Sequence, residues 1–378
     1  MRLRHAFRLT AVAATATLGL SVPAVVGPAA TAATAAAPRV QQHVQEQARI
    51  TGAGAPTQVR TGVDPRTAVL QPGERVQVLG VDDTSVLNSG AHYGYGVWAT
   101  FSTLPVAHQP FAVNTVTSTA IGTTADSVVH NVVAAGGRVF MADRRMSDGR
   151  WSSWGEVTST GAAGPLPGAP QQIAATAMGR KLHVLALVDG EVYQATGDWN
   201  TGTWSGWGDV SSTAGLPVAT RIASAVTGNS LHVVSLGLDD GVHVADGDYD
   251  RGTWGVGEPT AVLGLPSAEP ISGLSAAAIG SKLHIVAAAG DRLHQASRDY
   301  AAGSWVGWGD LTAATGPLGP VKRVSAVAIG NKLHLYALAS AWMYDATGDY
   351  DRGTWSGWGN VTAAVDAPGL TDLAVAAS

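Results

Sequence analysis

Pairs of tryptophans three residues apart recur along the chain: Trp151 with Trp154, Trp204 with Trp207, Trp305 with Trp308, and Trp355 with Trp358. Each pair stands among Gly, Ser, Asp or Asn, as in TWSGWGDV from Thr203 to Val210. An indole beside small polar groups suits a sugar, because the C–H face of a pyranose stacks on the ring while the polar groups take its hydroxyls. These eight residues are the candidate ligand-binding positions. The alternative is packing, since large aromatics fill the widening gap between elements that fan out from an axis. On a regular strand, positions i and i+3 face opposite sides, so one tryptophan would pack and the other face out unless a bulge intervenes. Gly257 stands where the second tryptophan belongs after Trp254, and Phe101 stands there after Trp98. Emptying a core tryptophan site costs ~3–5 kcal/mol, so a glycine there tilts the second position toward function.

Histidines keep step with these pairs. His130, His183, His232, His284 and His334 precede Trp151, Trp204, Trp254, Trp305 and Trp355 by 21, 21, 22, 21 and 21 residues. Equivalent positions on neighbouring units lie too far apart to share a zinc at ~2.0–2.1 Å, and no second ligand recurs beside them. They are expected to be buried, hydrogen-bonded core residues. Asp198, Asp248, Asp299 and Asp349 each stand four residues before a glycine and are expected to order a loop, with Arg145 at that place in an earlier copy. DRGTW, Asp351 to Trp355, resembles a shortened sialidase Asp-box, which is a structural motif. No copy gains a cluster of Asp, Glu and His that the others lack, as a glycosidase built on repeats would require. G-x-S-x-G, H-E-x-x-H and P-loop patterns are absent from the repeats. The chain therefore reads as a non-enzyme with no catalytic residues, no metal site and no cofactor.

The elements that carry these residues repeat as well. The leading tryptophans, Trp151, Trp204, Trp254, Trp305 and Trp355, are separated by 53, 50, 51 and 50 residues, a period typical of repeat architectures. The same offset applied to Trp98 reaches Gln77 inside RVQVLGV, a sixth and degenerate copy. One copy contains four short strands; in the last these are KRVSAVAI, a Gly330-Asn331 turn, LHLYALA, AWMYDAT and TWSGWGNV. Four strands in about 50 residues leave no room for a helix, and so small a sheet must be covered by its neighbours. Radial stacking gives an all-β β-propeller of six blades, each of four antiparallel strands. The last residues, LTDLAVAAS from Leu370 to Ser378, match a first strand with no second strand after it. Joining the first copy as its innermost strand would close the ring and leave no open edge. The competing inner strand is TAVL, Thr67 to Leu70.

Residues 1–35 read as a secretory signal peptide, with Arg2, Arg4 and Arg8, an apolar stretch broken by Pro23, and Ala-x-Ala sites at Ala30 and Ala33. Residues 36–60 are a Gln-, Gly- and Pro-containing linker or pro-segment, and the propeller occupies 61–378. A secreted, extracellular location follows. There is no cysteine, so packing between blades must supply the stability. The net charge of −5 has no basic stripe within it, which argues against nucleic acid. No segment after the signal is long and apolar enough to insert in a membrane. Glycans or glycoconjugates are the expected partners.

The order of apolar strand, Gly turn, LHV, third strand and W-x-x-W resembles bacterial propeller lectins related to the fucose-binding lectin of Photorhabdus, and more distantly tectonin-like and fungal fucose-lectin propellers. The resemblance covers about residues 61–378. It implies several equivalent sites near or between blades, each with an aromatic platform for fucose or a related sugar. Avidity would then do the work of single-site affinity. An exported interaction scaffold is the second function class, and a propeller glycoside hydrolase the third. Because no carboxylate cluster is present, the purified protein is expected to turn over none of a panel of aryl glycosides. Turnover abolished by one carboxylate substitution would overturn the binder.

Overall fold

The computed structural model describes residues 75–82, 85–92, 97–98, 101–104, 113–122, 127–257, 267–365 and 369–377. The signal peptide and linker expected at 1–60, and the TAVL segment, lie outside these residues. The described strands form six antiparallel sheets arranged as the blades of a propeller. From the axis outward, blade one is Asp372–Ala377, Arg75–Val81, Val86–His92 and the short pieces Val97–Trp98 and Ser102–Thr103. Blade two is Val113–Ile121, Val128–Ala135, Arg138–Arg145 and Gly155–Glu156. Blade three is Gln172–Met178, Lys181–Val188, Glu191–Asp198, and an outer strand in two pieces, Thr203–Trp204 and Gly208–Asp209. Blade four is Ala219–Thr227, Ser230–Gly237, Val242–Asp248 and Thr253–Gly257. Blade five is Ile271–Ile279, Lys282–Ala289, Arg292–Asp299 and Ser304–Asp310. Blade six is Val321–Ile329, Lys332–Ala339, Trp342–Asp349, and the pieces Thr354–Trp355 and Gly359–Asn360.

Second strands are covered on both faces by neighbouring blades, and so read as near-continuous apolar runs: every residue of KLHVLALV after Lys181 is buried. Innermost strands crowd around the axis and carry mostly Ala, Ser, Val and Thr, as in ISGLSAAAI. The turns joining first and second strands place Gly179, Gly228, Gly280 and Gly330 at φ between +55° and +58°, a region that glycine enters without steric cost.

The ring closes through the carboxy-terminal strand. Asp372–Ala377 pairs antiparallel with Arg75–Val81, from Val76 opposite Ala377 to Val81 opposite Asp372. Around the channel, side chains of the innermost strands also link each blade to the next. Val116 N–H donates to Asp372 Oδ2 at 3.2 Å, Ala175 N–H to Thr117 Oγ1 at 3.1 Å, and Ile222 N–H to Gln172 Oε1 at 2.9 Å. Arg221 Nε donates to Ile271 O at 3.3 Å, Ser272 Oγ to Val321 O at 2.6 Å, and Arg323 Nε to Asp372 Oδ1 at 3.1 Å. Those six links visit all six interfaces.

The outer strands explain the tryptophan spacing. In blades two, three and six, the serine after the leading tryptophan accepts a third-strand N–H through its side chain: Asp143 to Ser152, Thr196 to Ser205, and Thr347 to Ser356, each 2.8 Å. A hydroxyl replaces a ladder acceptor, the strand breaks, and both tryptophans turn to the same side. In blade five, where Val306 stands in the serine's place, a bulge opposite Gln295–Ser297 has the same effect, and each pair packs against the preceding blade. Of the two arrangements open from the sequence, the interrupted strand is the one present. One-turn helices, Val210–Ala214, Thr312–Thr315 and Val361–Val365, follow outer strands, which corrects the expectation that a repeat has no room for any helix. Asp209 caps the first by accepting Ser212 N–H at 2.8 Å, and Ser211 Oγ accepts Val192 N–H at 2.8 Å, so the turn extends the sheet's bonding.

All five repeated histidines are buried on second strands. His130 and His232 place Nδ1 2.7 Å from Asp143 and Asp246, whereas His183 and His334 face the hydroxyls of Thr196 and Thr347 at 3.1 and 2.9 Å. Gln77 holds the place in blade one and donates to Asn131 Oδ1 at 2.9 Å. Burial, with a smaller contribution from the lysine two residues before each, lowers His183 and His284 to about 4 and His334 to about 3. These folded-state values lie below the ordinary histidine value of about 6.5. Their contribution is complete above that value and is lost as pH falls through the window toward 3–4, because the unfolded chain takes up the protons first.

Two outcomes follow. Urea titrations should show stability falling between about pH 6.5 and 4 with a slope approaching one proton for each of these three histidines, and replacing His183, His284 and His334 with Gln should flatten that slope. An unchanged slope would show that other groups set it. Deleting residues 371–378 removes the closing strand and two of the channel links. The truncated chain should aggregate or melt more than about 10 °C lower, since a domain of this size loses roughly 2–4 °C per kcal/mol. A monomer melting within a degree or two of the full chain would refute the closure.

Candidate functional site

The loop between third and fourth strands is built by its aspartate. Asp248, Asp299 and Asp349 each accept two backbone N–H groups from the loop, at 2.9–3.1 Å, and Asp198 accepts one from Asn200 at 2.8 Å. Gly202, Gly252, Gly303 and Gly353 complete it at φ between +64° and +69°. This loop throws the residue after the aspartate, always an aromatic, back across the interface onto the histidine of the preceding blade. Trp199 sits 4.4 Å from His130, Tyr249 4.8 Å from His183, Tyr300 4.3 Å from His232, and Tyr350 4.8 Å from His284, between ring centroids. A repeated inter-blade crevice results, floored by a histidine and roofed by an aromatic ring.

In three of these interfaces a tyrosine hydroxyl closes the crevice. Tyr249 donates to Gln194 Oε1 at 3.1 Å, Tyr300 donates to Asp246 Oδ1 at 2.6 Å, and Tyr350 accepts from Gln295 Nε2 at 2.5 Å. Burial raises all three phenols above their ordinary value, Tyr350 to about 12, so they remain protonated at neutral pH. Between blades four and five, Arg298 adds an ion pair to Asp246 at 3.2 Å and lies over the rings of Tyr300 and Trp305 at 4.6 and 5.4 Å.

Between blades two and three the roof is Trp199, which has no hydroxyl. A cavity of about 210 Å³ remains, lined by Val128, Asp143, Arg145, Arg150, Trp151, Ser152 and Trp199. Asp143 Oδ1 takes His130 Nδ1, and its other carboxylate oxygen makes no hydrogen bond among the described residues. Arg145 and Arg150 stand at the rim, partly exposed and both paired with Asp148 at 3.4 and 3.3 Å. Indole carbons, one carboxylate acceptor and two guanidinium groups offer a polyhydroxylated ring apolar contact plus fixed donors and acceptors. The volume lies below the ~300 Å³ at which drug-sized pockets begin, and suits a single sugar ring.

The eight tryptophans chosen from the sequence all lie at blade interfaces. Trp151 and Trp154 are buried, while Trp204, Trp207, Trp305, Trp308, Trp355 and Trp358 are half-buried. Trp204 and Trp355 lie flat on Gly197 and Gly348, where an added Cβ would come within 3.1 Å of the indole. Trp207 and Trp358 donate their indole N–H to Gly164 O and Gly316 O, in the segments entering their blades, at 2.9 and 3.0 Å. Only Trp151 lines the open cavity. Sequence reasoning missed Trp199 and its equivalents Tyr249, Tyr300 and Tyr350; the signal was an aromatic recurring directly after each loop aspartate. Among the described residues no group of three His, Asp or Glu is placed to hold a metal ion, and no helix is long and apolar enough to cross a membrane.

No family model matches the sequence, and no curated protein resembles it in sequence. Solved structures do resemble it. A fucose-specific lectin from Aleuria aurantia superposes with a TM-score of 0.55 at 14% identity, over 76% of this chain and 91% of the lectin. AofleA from Arthrobotrys oligospora gives 0.51 at 17% identity, over 72% and 78%. A chain of a nidogen/laminin complex gives 0.50 at 13% identity, over 80% and 99%. At such identities the likeness shows the fold alone: this chain is a six-bladed β-propeller, like these solved structures.

Proposed function

We propose that the protein is an exported carbohydrate-binding propeller whose principal site is the crevice between blades two and three, taking fucose or a related sugar. One observation carries this: at the place where Tyr249, Tyr300 and Tyr350 close their interfaces with a hydroxyl, Trp199 leaves a cavity with an unshared carboxylate oxygen and an arginine rim. The sugar stacks on indole, Asp143 accepts a hydroxyl hydrogen, and Arg145 and Arg150 donate to ring or hydroxyl oxygens. The lectin from Aleuria aurantia is fucose-specific by its description, which supports the choice of sugar. Export rests on the signal-like residues 1–35, with 36–60 as a linker and 61–378 as the propeller. Several equal sites, as repetition alone suggests, would require each tyrosine to leave its hydrogen bond, at about 1 kcal/mol or more per bond.

An exported scaffold is the second function class, favoured by the packing of all four tryptophan pairs between blades. One experiment separates the two. Trp199→Tyr supplies the closing hydroxyl and should lower binding on a glycan array at least about tenfold, or 1.4 kcal/mol, with little change in melting temperature. Arg150→Ala should weaken the same glycans. A wild-type protein that binds none of the array would favour the scaffold, and binding unchanged in both variants would overturn the assignment of the site to this crevice.

A further inference from the structure

At one mouth of the central channel the six innermost strands present non-equivalent residues at equivalent register: Asp372, Thr115, Gln172, Arg221, Gly273 and Arg323, from blades one to six. This ring is where the propeller's repetition fails most completely. Its charges do not balance, since two guanidinium groups face one carboxylate. Asp372 is buried and already saturated, accepting from Arg323 Nε at 3.1 Å, Val116 N at 3.2 Å and Leu373 N at 2.9 Å. Arg221 spends Nε on Ile271 O at 3.3 Å, and its two Nη groups make no hydrogen bond among the described residues. Between the arginines of blades four and six stands Gly273 of blade five, against which Val324 of blade six packs so closely that an added Cβ would come within 3.2 Å of its backbone N. The mouth is polar and encloses about 160 Å³. Burial, and then the facing Arg323, pull Arg221 below its ordinary value, while Asp372 pushes it back up. The arrangement holds an excess positive charge in a confined, partly desolvated space.

We infer that this channel mouth is a binding site for one small oxyanion, held between Arg221 and Arg323 over Gly273. Guanidinium groups match the paired oxygens of sulfate, phosphate or a carboxylate, and a partly desolvated mouth strengthens each contact. The volume admits an ion of that size. The site is independent of the inter-blade crevice and does not rest on carbohydrate binding.

The full chain is titrated calorimetrically with sodium sulfate against sodium chloride at matched ionic strength, because sulfate at high concentration stabilises proteins generally. Saturable binding of one sulfate per chain is expected, with a rise in melting temperature that chloride does not give. Arg221→Gln should weaken sulfate at least tenfold, and Arg221→Lys, which keeps the charge without the fork, should fall between. No saturable sulfate binding overturns the site. So does Arg221→Gln that melts lower without sulfate yet binds it unchanged, since that places Arg221 in packing alone.

Discussion

The constraint on which this molecule depends is that a ring of small sheets has no stable intermediate size: each blade is covered only if both neighbours are present. Two devices meet it at the axis. The carboxy-terminal strand zips to Arg75–Val81, and side chains of the innermost strands make a hydrogen bond across every interface. A chain without disulfides has only such distributed links to oppose the opening of its ring. Asp372 concentrates this role, because it accepts from blade six through Arg323 and from blade two through Val116 while belonging to blade one.

Much of this was legible in the sequence because repetition multiplies weak signals. A single LHV or W-x-x-W says little, whereas five histidines and four tryptophan pairs in register, with a degenerate first copy, set the blade count, strand order and buried histidine column. The closing strand was legible for a different reason: a first strand with no second after it cannot satisfy its own backbone. What escaped were relations between one blade and the next. Asp248 announces an ordered loop, but nothing local says that Tyr249 lands on His183, 66 residues earlier and in another sheet. The tryptophan pairs misled in the same way. Their spacing implied opposite faces, and the serine hydroxyl that breaks the strand is a one-residue detail that turns both rings toward the same neighbour.

Function then follows from where the repeats disagree. A tyrosine at the crevice roof completes a hydrogen bond and makes an interface; a tryptophan at the same place leaves a carboxylate oxygen and a cavity. The channel mouth shows the same logic, with six different residues at one register. Conformity among copies builds the scaffold, and each lapse in it creates a surface with its own chemistry.

The serines that interrupt the outer strands have a consequence for behaviour in crowded solution. Ser152, Ser205 and Ser356 draw third-strand N–H groups to side-chain oxygens, so that each of these blades ends in a broken rim. A second molecule approaching edge-on finds no continuous row of donors and acceptors to extend. Three of the six sheets, in blades two, three and six, thus have their outer edges interrupted by a hydroxyl group apiece.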